Sequence, residues 1–415
     1  MRRSSKESPK LSAESQRLVS ISLAITQAGS RIEERTWERH LDTQLQKLLK
    51  TNHQESIDAA LNVLFKGELA VYDVLMDNVE AVSESSVMTE QLEDTEVTWQ
   101  ALLVAAPILA WTRFSIASGT IPGEILTTLS AHFSAHLLAD GARIAMAPTL
   151  YSLDQLPRTH AETYSLTHKL AQAAHKGSGV KPAAPGPDAS QFLADTRYLL
   201  VTVIAPAGAP LFRWQEPQHH LNFEAEREAA LEQWRAQAGP NIARLLPGCG
   251  TELLLPEAYY VACREADKLI RPVSVRAAVH YLTYTLNVEP SDLRAVIAGF
   301  GDEVNDSQVD EYRIGFTLRQ SPDVVYGIVW PLYGQEDEDG TPMEGPVQGG
   351  LPPAPMDDIV QHLNEMGVAH VKRIAEHYVA EYCDDCGAPL FADPSGELVH
   401  AEMPEDAPAG SEHFH

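Results

Sequence analysis

Cysteine is scarce in this chain. Four occur among 415 residues, too few for a disulfide framework and suited to a reducing compartment. Long apolar runs are missing as well. The longest near-apolar stretch, ALLVAAPILAW at 101–111, is eleven residues interrupted by Pro107, whereas a membrane-spanning helix needs about 20. The N-terminus also lacks the apolar run of a secretory signal. These absences predict a soluble cytoplasmic protein with no membrane partner. Positive charge is short too: 31 Lys and Arg stand against 58 Asp and Glu, a formal net charge of -27. Such a surface repels phosphate backbones, which excludes a broad nucleic-acid footprint. The one basic cluster, Arg2, Arg3, Lys6 and Lys10, reads as a solubilising tail.

Catalytic signatures are equally absent. The sequence has no G-x-S-x-G elbow, no phosphate-binding G-x-x-x-x-G-K-[ST] loop and no H-E-x-x-H helix,. GFGDEV at 299–304 starts like a dinucleotide fingerprint but lacks the third glycine, so a strand-end turn explains it better.

What is present is an ordinary globular balance, 44% hydrophobic and 21% charged, in a chain long enough for two or three domains. After a tail over 1–12, residues 13–90 read as a helical segment. Apolar residues recur at helical spacing in three stretches, the last running through 54–82 with Gly67 as its weak point,. From 97 the pattern alternates between strand-like and helix-like stretches, giving an α/β unit over 97–175. A Gly/Pro/Ala-rich linker at 176–190 follows, then a second α/β unit over 191–290. LLVAAPILAWTRF and LLVTVIAPAGAPLFRW both run from Leu-Leu-Val through proline to an aromatic–Arg–aromatic ending, which points to an internal repeat. A third unit over 291–382 contains three alternating stretches, a long acidic loop at 334–355 and a final helix reaching Tyr382. The expected fold class is therefore α/β: an N-terminal helical segment, two or three repeated α/β units and a C-terminal zinc ribbon.

That ribbon, 383–415, carries the strongest chemical signal. Cys383 and Cys386 are spaced so that two thiolates reach one ion, and Gly387 lets the backbone turn beneath it. A hairpin is expected around Pro394-Ser395-Gly396, and His413 and His415 return after 26 intervening residues. The stretch resembles a zinc ribbon of the Cys2His2 kind, without a second C-x-x-C. The expected ligands are Cys383, Cys386, His413 and His415, with His400 as a substitute. Two cysteines and two histidines close the shell, so the zinc is expected to be structural. A redox role is disfavoured, because the pair is expected to follow a helix C-terminus, where the dipole has the wrong sign for a thiolate.

Other polar candidates are weaker. His370 and His377 fall on one face of the expected last helix, about 10.5 Å apart along its axis, too far to share an ion. Cys249 and Cys263 read as lone thiols. His219, His220, Glu224 and Glu226 read as a polar loop leading into a helix.

RTWERHLDTQLQKLL, YRIGFT and CDDCGAPLF…GELVHAEMPED resemble a family of bacterial proteins of unknown function over nearly the full chain. That resemblance implies no activity and no site residues. The expected function is a binding or regulatory protein that recognises a protein or a small ligand. The alternative is an enzyme with a dispersed active site in a cleft between the repeated units. There Arg113 and Arg213, at equivalent places in the repeat, would meet an anionic substrate.

Overall fold

The computed structural model describes residues 11–92, 95–183, 192–219, 221–301, 309–332 and 354–404. Most of the expected tail over 1–12, most of the linker and most of the acidic loop lie outside these.

Four helices, not three, open the described chain: α1 (Ala13–Thr26), α2 (Arg31–Lys50), α3 (Gln54–Phe65) and α4 (Leu69–Glu84). Ser12 and Ser30 cap α1 and α2 by accepting from Ser15 N and Glu33 N, as N-cap hydroxyls do. The stretch expected to form one helix through 54–82 breaks at Gly67, where glycine costs a helix interior about 1 kcal/mol. Leu18, Leu41, Leu45, Ile57, Leu75 and Val79 close a core of their own.

Next come β1 (Ser85–Leu92), β2 (Thr95–Trp111), β3 (Gly119–Thr120), α5 (Gly123–Leu137), β4 (Arg143–Ser152) and α6 (His160–Lys176). They are followed by β5 (Ala194–Pro206), α7 (Phe223–Leu245), β6 (Gly250–Leu253), β7 (Glu257–Ala258) and α8 (Tyr259–Leu286). The seven strands form one antiparallel sheet in the order β1-β2-β5-β4-β3, with β6 and β7 also pairing β2. The Leu-Leu-Val stretches of the sequence comparison lie side by side in it, with Val104 opposite Val201. The partners are crossed: β4 pairs β5, whereas β6 and β7 pair β2. Helices α5 and α7 cover one face through Leu129, Phe133 and Trp234. The other face takes α6 and the first half of α8 through Leu170, Tyr259 and Ala266.

Pro107 does not end β2. Its carbonyl accepts from Leu254 N, so its imino nitrogen faces the same side, where pairing lapses between β6 and β7. A missing N–H there costs no ladder bond.

Strands β8 (Leu293–Gly301), β9 (Glu311–Leu318), β10 (Val324–Pro331) and β11 (His370–Val379) form a second sheet in the order β10-β9-β8-β11. Helix α9 (Pro355–Glu365) crosses over so that β11 lies parallel to β8. The second half of α8 packs on this sheet with α9, through Val275, Val279, Leu282, Ile359 and Leu363. One 28-residue helix thus serves both cores, with Pro272 near the changeover.

The helix expected to reach Tyr382 stops at Glu365. Gly367 adopts φ +85, a left-handed value that ends helices, and 370–379 is strand. His370 and His377 consequently pair with Arg294 and Gly299 on β8 and share no helical face. Among the described residues no helix is long and apolar enough to cross a membrane.

Candidate metal centre

Beyond β11 the chain folds back as a small hairpin, β12 (Phe391–Ala392) and β13 (Leu398–Val399). Local chemistry dictates both of its turns. At the first, Gly387 takes φ +73 and donates its N–H to Cys383 O at 2.8 Å, while Cys383 N reaches Ala388 O at 2.7 Å. At the second, one oxygen of Asp393 accepts from the N–H groups of Ser395, Gly396 and Glu397 at 2.7, 2.8 and 3.0 Å, and Gly396 supplies φ +95. An Asx turn of this kind reverses the chain. The reversal returns His400 to the cysteines.

The donor atoms of Cys383, Cys386 and His400 all lie within 4.8 Å of one another, with Cys386 Sγ and His400 Nε2 3.2 Å apart. Ligand bonds of about 2.3 Å to sulfur and 2.0 Å to nitrogen put tetrahedral donors ~3.5–3.8 Å apart, so this trio can hold a metal ion with little adjustment. Backbone N–H groups of Cys386 and Asp385 hold the Cys383 thiol below its ordinary pKa, favouring the thiolate a metal needs. Glu402 lies 3.4 Å from Nδ1 of His400, which leaves Nε2 to face the cysteines. A carboxylate behind a ligating imidazole is the usual outer-shell arrangement.

Among the described residues, His400, expected as a substitute, is the histidine that lies beside the cysteines. His413 and His415 lie outside the described residues. The C-x-x-C pair follows strand β11 and not a helix C-terminus, so the dipole invoked against redox chemistry is not there.

The hairpin is anchored to the second sheet. Its strands cover the face opposite α8, over Val296, Ala298 and Phe300. At Gly327 an added Cβ would clash with the ring of Phe391, and at Gly315 it would stand 3.1 Å from Ala392 O; the two glycines, paired across β9 and β10, open the slot that the hairpin fills. Arg313, fully buried, donates Nη1 to Glu381 O and Leu390 O at 2.7 and 2.8 Å and Nε to Glu311 at 2.6 Å. These carbonyls flank the cysteine turn. Sequence reasoning missed Arg313 as a clamp, although a lone cation inside the apolar alternation of YRIGFT was its signal.

The two arginines expected to converge do not. Because β2 and β5 run antiparallel, Trp111 faces Ala194 while Pro206 faces Trp99. Arg113 and Arg213 follow these strands at opposite ends of the sheet, beyond strand ends that lie ~40 Å apart by strand rise. Arg213 donates to His136 O. Arg113 stacks 4.6 Å from the ring centre of Tyr284, at the edge of a groove of about 1380 Å³ between the end of β2, the second half of α8 and the turn after it.

His219 Nδ1 lies 3.2 Å from a Glu226 carboxylate oxygen, and His220 lies outside the described residues. Cys249 and Cys263 are free thiols, and burial raises the pKa of both.

The chain belongs to a family of proteins of unknown function, DUF2863, whose family model matches residues 3–414. No curated protein and no solved structure matches it.

Proposed function

We propose that this member of an unassigned family is a cytoplasmic zinc-containing protein that works by binding a ligand, its metal serving as a fastener. The placement of the metal trio carries the reading: Cys383, Cys386 and His400 close a hairpin whose apolar side lies against a sheet face. Thiolates with an imidazole suit zinc among the common cellular metals, and four unpaired cysteines suit a reducing compartment. His413 or His415 supplies the fourth donor in this reading, leaving no open position for catalysis. The groove beside α8 is the binding site, because it lies where the two cores meet and is large enough for a small organic molecule. We further read the two strand–helix–strand–helix halves around 184–191 as an internal repeat, supported by their crossed pairing and by Val104 facing Val201. The enzyme reading loses its motive with the separation of Arg113 from Arg213.

Protein purified without added metal should carry close to one zinc per chain by elemental analysis. Cys383→Ser/Cys386→Ser should carry none, and native mass spectrometry should find a co-purifying small molecule. Zinc retained by the double variant would overturn the metal assignment. Turnover on a substrate panel would overturn the binding reading.

A further inference from the structure

The two cysteines of the metal trio are also placed to react with each other. Gly387 N donates to Cys383 O, so the stretch between them is one tight turn, and a turn of this size keeps residues three apart within about 7 Å at Cα. That is the outer limit for a disulfide, and the two sulfurs lie within 4.8 Å of each other. Access separates the four thiols. Cys386 is exposed, whereas Cys249, Cys263 and Cys383 are half-buried. Cys249 precedes β6 and Cys263 lies within α8, so neither has a second thiol in its own turn.

Charge decides which oxidant reaches the pair. From Cys383 to His415 the chain has eight Asp and Glu and no Lys or Arg. Asp384 and Asp385, between the cysteines, are exposed, and so is Glu402 behind His400. Of the described cations that reach the hairpin from the sheet, Arg313 is buried against Glu311 and Lys372 is turned to Pro394 O at the far end. An anionic oxidant is repelled by such a rim, and a neutral one is not.

We infer that Cys383 and Cys386 are a peroxide-sensitive pair, whose two thiolates a neutral hydroperoxide converts into a disulfide. The exposed Cys386 thiolate attacks one peroxide oxygen, the O–O bond breaks, and a sulfenic acid and hydroxide result. The Cys383 thiolate then attacks that sulfur and expels a second hydroxide. Each hydroxide takes up a proton from the solvent. Two thiolates thus give up two electrons, and the peroxide accepts them. A disulfide has no thiolate left for a metal, so oxidation and metal binding exclude each other. Arg313 grips the carbonyls of Glu381 and Leu390 on either side of the turn without using the metal, so the pair stays in place for reduction by a dithiol. The inference rests on the metal reading only for the release of the ion.

Zinc-loaded full-length protein treated with hydrogen peroxide tests it, with released zinc read by a chromogenic chelator and thiol state by peptide mapping. Zinc release should keep step with a Cys383–Cys386 disulfide, and dithiothreitol with added zinc should reverse both. Cys383→Ser should stop the reaction at a sulfenic acid on Cys386, trapped by dimedone. Neutral hydroxyethyl disulfide should oxidise the pair about tenfold faster than anionic oxidised glutathione at low salt, and the gap should close as salt rises or in Asp384→Asn/Asp385→Asn. Peroxide that oxidises Cys249 or Cys263 while leaving Cys383 and Cys386 reduced would overturn the inference. A gap that ignores both salt and the aspartate variant would overturn its choice of a neutral oxidant. Protein that holds no zinc would overturn the metal reading alone, because the mapped disulfide still decides this one.

Discussion

Replacing Gly327 with alanine should loosen the metal through a single methyl group. The three nearest atoms to a Cβ at this position are ring carbons of Phe391, all well inside van der Waals contact. The ring has little room to retreat: it is 4% exposed, its residue pairs with Val399, and the preceding carbonyl is held by Arg313. Two responses remain. Accommodating the methyl in place costs about 1–3 kcal/mol of overpacking, whereas expelling the ring forfeits about 1.5–3 kcal/mol of phenyl burial. Either way ~2 kcal/mol is charged to docking of the hairpin. The hairpin presents His400 to the cysteines, so a metal shell that requires the docked form loses affinity by roughly 30-fold, at 1.4 kcal/mol per factor of ten. Competition with a chromogenic zinc chelator reads this directly. Phe391→Ala should weaken binding as well, and Gly327→Ala should add less than about 0.5 kcal/mol in that background, because the clash is gone. Wild-type affinity in Gly327→Ala, or full additivity in the double variant, would refute the reasoning.

Arg313→Met should destabilise the chain by about 3–5 kcal/mol in urea unfolding, since it strands the Glu311 carboxylate; a loss no larger than that of Glu311→Gln would contradict the clamp. Glu84, packed where α4 meets α8 and accepting from Tyr260 N at 3.0 Å, has its pKa pushed up by burial to about 7. The raised folded-state value means that native protein holds the proton more tightly than unfolded protein. The Glu84 contribution is therefore full below about pH 4.5 and is lost as pH rises towards 7, by ~2–3 kcal/mol. Urea midpoints should fall across that window, and Glu84→Gln should flatten the fall. Chelation of the metal should raise hydrogen exchange over 383–400 and on the covered face of β9 and β10, while 13–84 keeps its protection. Equal loss throughout would show the metal holding the whole fold.

Legibility from sequence followed the range of the physics involved. The cysteine turn and the Asp393 hairpin could be read because neighbouring residues fix them: a left-handed glycine, an Asx acceptor, a C-x-x-C spacing. The histidine that joins the cysteines could not, because hairpin length and docking choose it, and three histidines were compatible with the spacing. The extended last helix was misread for a related reason. Ile359, Leu363 and Met366 establish a helical rhythm that His370 and His377 continue by coincidence, and only Gly367 records the break. The likeness of the segments around Arg113 and Arg213 was visible as matching letters. Matching letters do not say whether two strands run together or opposed, and the antiparallel answer sent the arginines apart.

The crossed partners of the large sheet bear on what it means for this chain to be one piece. β2 finds β5, β6 and β7 beyond residues 184–191, and β5 finds β2 and β4 before them. Each half therefore lends strands to the other's ladder, as subunits do in a strand-exchanged dimer. A peptide bond broken within that stretch would cut the polypeptide and leave the particle whole, still joined by every ladder hydrogen bond between the halves. Two separately made fragments meeting there would face an association problem in place of a folding one. What holds this molecule together across its middle is the weave and not the thread.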